Sequence, residues 1–112
     1  MAKATPMPPV PEAPPWLAGS LLDRWAELAP IFTRMGTLSV LEAGQLARYI
    51  VAENNYLQVS NNLQRALARG DAEDVSRWIG AQEKLIRQII TLGETLGLTA
   101  EKRKAMGWAL PR

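Results

Sequence analysis

The stretch Ala66-Leu67-Ala68-Arg69-Gly70-Asp71-Ala72-Glu73-Asp74 decides the fold, because here a long helical pattern breaks once and sharply. Gly70 suits the left-handed conformation that closes a helix, and Asp71 offers a side-chain oxygen to the free amides of the next one. Upstream, Ser39-Val40-Leu41-Glu42 is a capping box, with serine followed three residues later by glutamate. It predicts a long helix from Val40 to Ala68. Downstream, Val75, Gln82, Ile89 and Leu96 recur at sevens, with Trp78, Leu85 and Leu92 on the interleaved position. That spacing predicts a second long helix from Ala72 to Leu96, with a heptad seam whose one polar member is Gln82. Two long helices joined so briefly must lie antiparallel.

The first of these helices carries two stripes. Leu46, Ala47, Ile50, Asn54, Leu57, Asn61 and Gln64 form one, turning polar toward its end. Tyr49, Ala52, Tyr56, Val59, Leu63, Ala66 and Leu67 form the other. A helix apolar on two faces has more to bury than one neighbour covers. Excess apolar surface on the hairpin therefore predicts a homo-oligomer, with Leu57, Leu63, Trp78, Leu85 and Ile89 as its expected interface. Asn54, Asn61 and Gln82 are the polar positions suited to fixing register; they equally mark where a stripe turns to water.

Outward from the hairpin the chain is shorter-ranged. Ser20 is a suitable N-cap for a first helix, whose Leu21, Leu22, Trp25, Leu28, Ala29 and Phe32 share one face. Pro30 should kink its last turn or start a new one, and Gly36 should end it. Six of the eight prolines precede Trp16, so residues 1–15 read as an extended, flexible arm. Trp16 and Leu17 are where that arm docks, and Trp16, Trp25 and Trp78 read as core or interface anchors. Thr99 caps a short basic helix over residues 100–106, and Trp108 in the tail suits docking on its own hairpin or on a neighbour. The expected organisation is thus an arm over 1–15, a helical hairpin domain over 16–98, and a short basic helix and tail over 99–112. The fold class is all-α: a short N-terminal helix, a long antiparallel hairpin and a short C-terminal helix.

Composition narrows the chemistry. The 112 residues contain neither cysteine nor histidine, which removes disulfides, thiolate chemistry, the usual zinc sites and the commonest general base. No apolar run approaches the roughly 20 residues a membrane span needs, and no secretory signal opens the chain. No glycine-rich phosphate loop, nucleophile elbow or catalytic constellation is present, so no enzyme, cofactor or metal is expected. Asp71, Glu73 and Asp74 cluster at a helix N-terminus, where capping and the helix dipole explain them without a metal. The net charge of +2 is mild, but residues 99–112 carry Lys102, Arg103, Lys104 and Arg112 against Glu101 alone. Arg24, Arg34 and Arg48 lie on or beside the N-terminal helices. With Lys102, Arg103 and Lys104, which could equally complement the C-terminal end of a short helix, they are the candidate DNA contacts.

Several phrases, in order, resemble the small subunit of tailed-phage terminases. They are Pro14-Pro15-Trp16-Leu17, then Trp25, Pro30 and Gly36-Thr37-Leu38, then Glu42, Ala43, Leu46, Ala47 and Tyr49, and finally Leu96-Gly97-Leu98-Thr99 with Arg103. The likeness runs from Pro14 to Lys104. The longer insertion that many members carry between the long helices contracts here to Arg69-Gly70-Asp71. The resemblance implies a virus-encoded protein of the host cytoplasm that assembles as a ring and recognises double-stranded viral DNA. It also implies recruitment and regulation of the large terminase subunit, which holds the ATPase and nuclease. The rival expectation is a helical-hairpin scaffold or adaptor that binds no nucleic acid.

Overall fold

The computed structural model describes residues 9–97. Among them are three α-helices and no strand: α1 (Ser20–Arg34), α2 (Ala43–Arg69) and α3 (Ala72–Thr95). The all-α expectation and the hairpin hold. The short C-terminal helix, with Thr99 and Trp108, lies outside the described residues.

The turn forms by the local chemistry that announces it. Gly70 takes φ +68°, its amide bonds to the Leu67 carbonyl at 3.1 Å, and the Asp71 amide reaches back to Ala66 at 3.2 Å. Asp71 then accepts the Asp74 amide at 3.1 Å, starting α3. A Cβ added at Gly70 would meet nothing within 4 Å, so the only penalty there is backbone conformation. Gly70→Ala should therefore cost about 1–2 kcal/mol. Gly80, inside α3, is equally uncrowded but without positive φ, so Gly80→Ala should stabilise by about 0.5–1 kcal/mol. Thermal melting of the two variants should show shifts of opposite sign.

The capping box is present, with a single 3-10 turn over Val40–Glu42 before α2 begins. The Ser39 amide donates to the Glu42 carboxylate at 2.9 Å; the Ser39 hydroxyl donates to the same carboxylate and accepts from the Leu41 amide at 3.2 Å. These donors, the hydroxyl foremost, hold the Glu42 carboxyl below its ordinary range. A carboxyl with a lowered folded pKa stabilises the fold above its unfolded value and stops doing so as pH falls through the folded one. The stability difference between the protein and Glu42→Gln should thus be present at neutral pH and shrink as pH falls below the ordinary glutamate range, a trend that melting curves taken into acid would read.

At the other helix start, Ser20 is not the cap. Gly19 occupies that position with φ +61° and no side-chain hydrogen bond, and its carbonyl accepts the Asp23 amide at 3.1 Å. Nor does Pro30 divide the helix: α1 runs through it to Arg34. Proline leaves the Ala26 carbonyl without its helical donor, but Ala26 is exposed, so water can serve that oxygen. Gly36 closes α1 as expected, at φ +75°, with the Thr37 amide bonded to Phe32 at 3.1 Å and the Gly36 amide to Thr33 at 3.0 Å.

The core lies at the base of the hairpin, away from the turn. Trp25, Leu28, Ala29 and Phe32 of α1 meet Leu46, Ala47, Tyr49 and Ile50 of α2 there, joined by Ile89 of α3, Leu96, Leu17 and Leu38. The two stripes of α2 explain its extent. Leu46, Ala47 and Ile50 are buried where α1 covers them; Asn54 is half-buried, and Leu57, Asn61 and Gln64 reach solvent beyond it. Tyr49, Ala52, Tyr56, Leu63 and Ala66 stay buried along the hairpin. At about 1.5 Å per residue, α2 and α3 reach roughly 40 and 36 Å, so the distal half of the hairpin projects as a two-helix arm.

Candidate nucleic-acid and assembly surfaces

The inner end of the Pro-rich arm is docked. Pro11 is buried and its carbonyl accepts the Trp25 indole N–H at 3.3 Å. Pro14-Pro15-Trp16-Leu17 then forms a turn, closed by the Leu17 amide on the Pro14 carbonyl at 3.0 Å. Proline at the second position of such a turn presets its φ. Leu17 enters the core, whereas Trp16 is 60% exposed. Of the three expected anchors, Trp25 is therefore core, Trp78 is half-buried, and Trp16 is outside the core.

The expected cations are placed very differently from one another. Arg24 is engaged within the chain: it donates to Glu53 of α2 at 2.8 and 3.0 Å and to Glu27 at 3.0 Å. The Glu53 hydrogen bonds are the main cause that raises its pKa, and burial opposes them. Arg24 thus ties α1 to α2. Arg34, in the last turn of α1, and Arg48, near the start of α2, are exposed, and neither forms an ion pair with a described residue. Lys102, Arg103 and Lys104 lie outside the described residues.

The carboxylates at the turn serve the helix start. Asp71 caps, and Asp74 takes Arg69 at 2.6 Å and Arg77 at 3.5 Å. Among the described residues, no group of three or more potential metal ligands is assembled. No helix among them is long and apolar enough to cross a membrane.

The residues expected at an oligomer interface divide by depth. Ile89 is fully buried and Leu63 nearly so; Leu85 packs against the core, Trp78 is half-buried, and Leu57 is exposed. Two further apolar side chains stand out near the turn, Leu67 at 53% and Ile79 at 41% exposed. They flank an open groove of about 420 Å3, lined also by Gly70, Ala72, Val75 and Ser76. Ile79 broadens the sequence stripe beyond the heptad seam, which was the available signal for it; Leu67 sat on a stripe that gave no hint of ending in solvent. Gln82 finds a partner across the hairpin, donating to the Ser60 hydroxyl at 3.1 Å, which suits a register role. Asn61 faces solvent.

Neither a curated protein nor a solved structure matches this chain. A family model described as phage terminase, small subunit, matches residues 22–110. The match takes in Trp25, the capping box, both hairpin helices and the Leu96-Gly97-Leu98-Thr99 phrase, while Pro14-Pro15-Trp16-Leu17 precedes it. With most of its length matched on an all-helical frame, the chain belongs to the phage terminase small-subunit family.

Proposed function

We propose that this chain is a small terminase subunit that recognises viral DNA, assembles as an oligomeric ring, and recruits and regulates the large subunit during genome packaging. The family has a role in phage DNA packaging and is generally non-catalytic. The observation that carries the assembly part is the apolar surface left on the distal hairpin. Leu57, Leu67 and Ile79 are exposed beyond the cover of α1, and Leu67 and Ile79 line a groove with no occupant among the described residues. Exposed apolar surface of this kind, set on a projecting arm, suits contact with another subunit.

DNA contact would come from cations repeated around the ring. Arg34 and Arg48 belong to that set, as do Lys102, Arg103 and Lys104 in the basic last segment. Repetition multiplies weak contacts through avidity. Arg24 no longer serves this role, because its guanidinium is committed to two carboxylates.

That loss, together with a net charge of only +2, favours the rival reading of a scaffold that never touches nucleic acid. Titration of labelled duplex DNA at several salt concentrations separates the two. A phosphate-binding ring should lose affinity with salt by about 0.9 log unit per log unit for each phosphate neutralised. Absence of binding to any duplex at low salt would support the scaffold.

A further inference from the structure

Trp16 is the one tryptophan among the described residues that the fold pushes into solvent. The turn that carries it has little freedom to withdraw it, since Pro15 fixes φ and the Leu17 amide closes the loop at 3.0 Å. The exposed ring forms one wall of a shallow pocket of about 220 Å3. Arg48, Val51, Ala52 and Asn55 of α2 and Gln88 of α3 form the rest. None of these lining residues is acidic. Arg48, Asn55 and Gln88 are exposed, and Arg48 has no carboxylate partner among the described residues. Lys84, also exposed, stands one turn before Gln88 on the same side of α3.

We propose that this pocket is a contact site for the sugar–phosphate backbone of duplex DNA, a statement that rests on the DNA-binding reading above. Arg48 donates to a phosphate, the Asn55 and Gln88 amides complete its hydrogen bonding, and the Trp16 ring packs against the adjoining deoxyribose. Lys84, one turn before Gln88 on α3, supplies a second cation on that side. The reasons are chemical. A guanidinium between neutral amides, with no carboxylate in the wall, suits an anion. A rigidly presented aromatic face beside it suits a ring-shaped unit. The pocket is shallow and lies on the flanks of α2 and α3. Backbone contact therefore fits it better than reading of base edges.

The test is anisotropy titration of a labelled duplex with the full-length protein over a range of salt. The variants are Arg48→Gln, Trp16→Ala and, as a control outside the pocket, Arg65→Gln on the distal half of α2. All three positions are exposed, so helicity should be retained, which circular dichroism checks. Arg48→Gln should weaken binding on the order of tenfold and shallow the salt dependence by about 0.9 per site. Trp16→Ala should weaken binding several-fold at every salt concentration without changing the slope, because an uncharged contact releases no counterion. Arg65→Gln should leave affinity within about twofold.

If the protein binds DNA but Arg48→Gln and Trp16→Ala both behave like the control, the pocket is not the contact and the proposal is overturned, while DNA binding survives. If the unaltered protein binds no duplex even at low salt, the broader reading fails first and this one with it. A loss of assembly mass in Arg48→Gln or Trp16→Ala, with DNA affinity unchanged, assigns the pocket to a neighbouring copy and also overturns the proposal.

Discussion

Phe32→Ala should lower the free energy of unfolding by about 3–5 kcal/mol, the largest loss expected from any single truncation in this fold. Phe32 has no exposed surface, and it sits where α1, the residues after it and α2 converge. Truncating a fully buried phenylalanine costs about 3–5 kcal/mol, through lost transfer energy and the cavity left behind. A folded unit of this size holds roughly 5–10 kcal/mol in total, so one such loss consumes a large part of it. The cavity has few ways to collapse, because Ala29 and Ala47 nearby in the core are already small. Denaturant unfolding followed by circular dichroism would measure the loss. Gln58→Ala, at an exposed polar position of α2, is the comparison and should move stability by no more than about 0.5 kcal/mol. Equal effects from the two substitutions would mean that the core does not lie at the base of the hairpin.

The second large effect is on assembly. Leu67→Asp combined with Ile79→Asp should reduce the proposed oligomer to single chains that keep their helices. Both positions are open to solvent in the single subunit, so a carboxylate there is well hydrated until a partner covers it. Burying it unpaired in an interface then costs several kcal/mol, and a ring repeats that cost at each junction. The readout is native mass alongside helicity. Lower mass with unchanged helicity places the hairpin tip in the interface. Unchanged mass would move the interface elsewhere, and lost helicity would show that the two side chains support the arm itself.

The parts of this fold that depend on chemistry within one turn were open to reading from sequence. Gly70 and Asp71 act on amides only a few residues away, and Ser39 and Glu42 act on each other, so type and spacing suffice. Stripe periodicity likewise revealed α2 and α3, and the fading of the Leu46–Gln64 stripe marks where α1 ceases to cover it. Ser20 misled because Gly19 can take φ +61° and start the helix without a side-chain cap. Pro30 starts no new helix, because an orphaned carbonyl is tolerable on a wet face.

The surface was harder. Arg24 looked like any other helical cation, since its partner Glu53 is 29 residues away and meets it only after α1 packs on α2. Ile89 was assigned to a subunit contact on heptad spacing alone, which cannot tell a seam within a hairpin from one between copies; it is wholly buried within this chain. Trp16 read as an anchor because tryptophan is apolar. Its exposure follows from the proline before it, which fixes the turn and gives the buried place to Leu17.

The account turns on whether the uncovered distal hairpin is satisfied by further copies of the same chain. Sedimentation of the full-length protein over a wide concentration range, without DNA, tests this most directly. The expected result is a discrete multiple of the 12.4 kDa chain that persists on dilution. A fully helical species sedimenting as one chain at every concentration would contradict it.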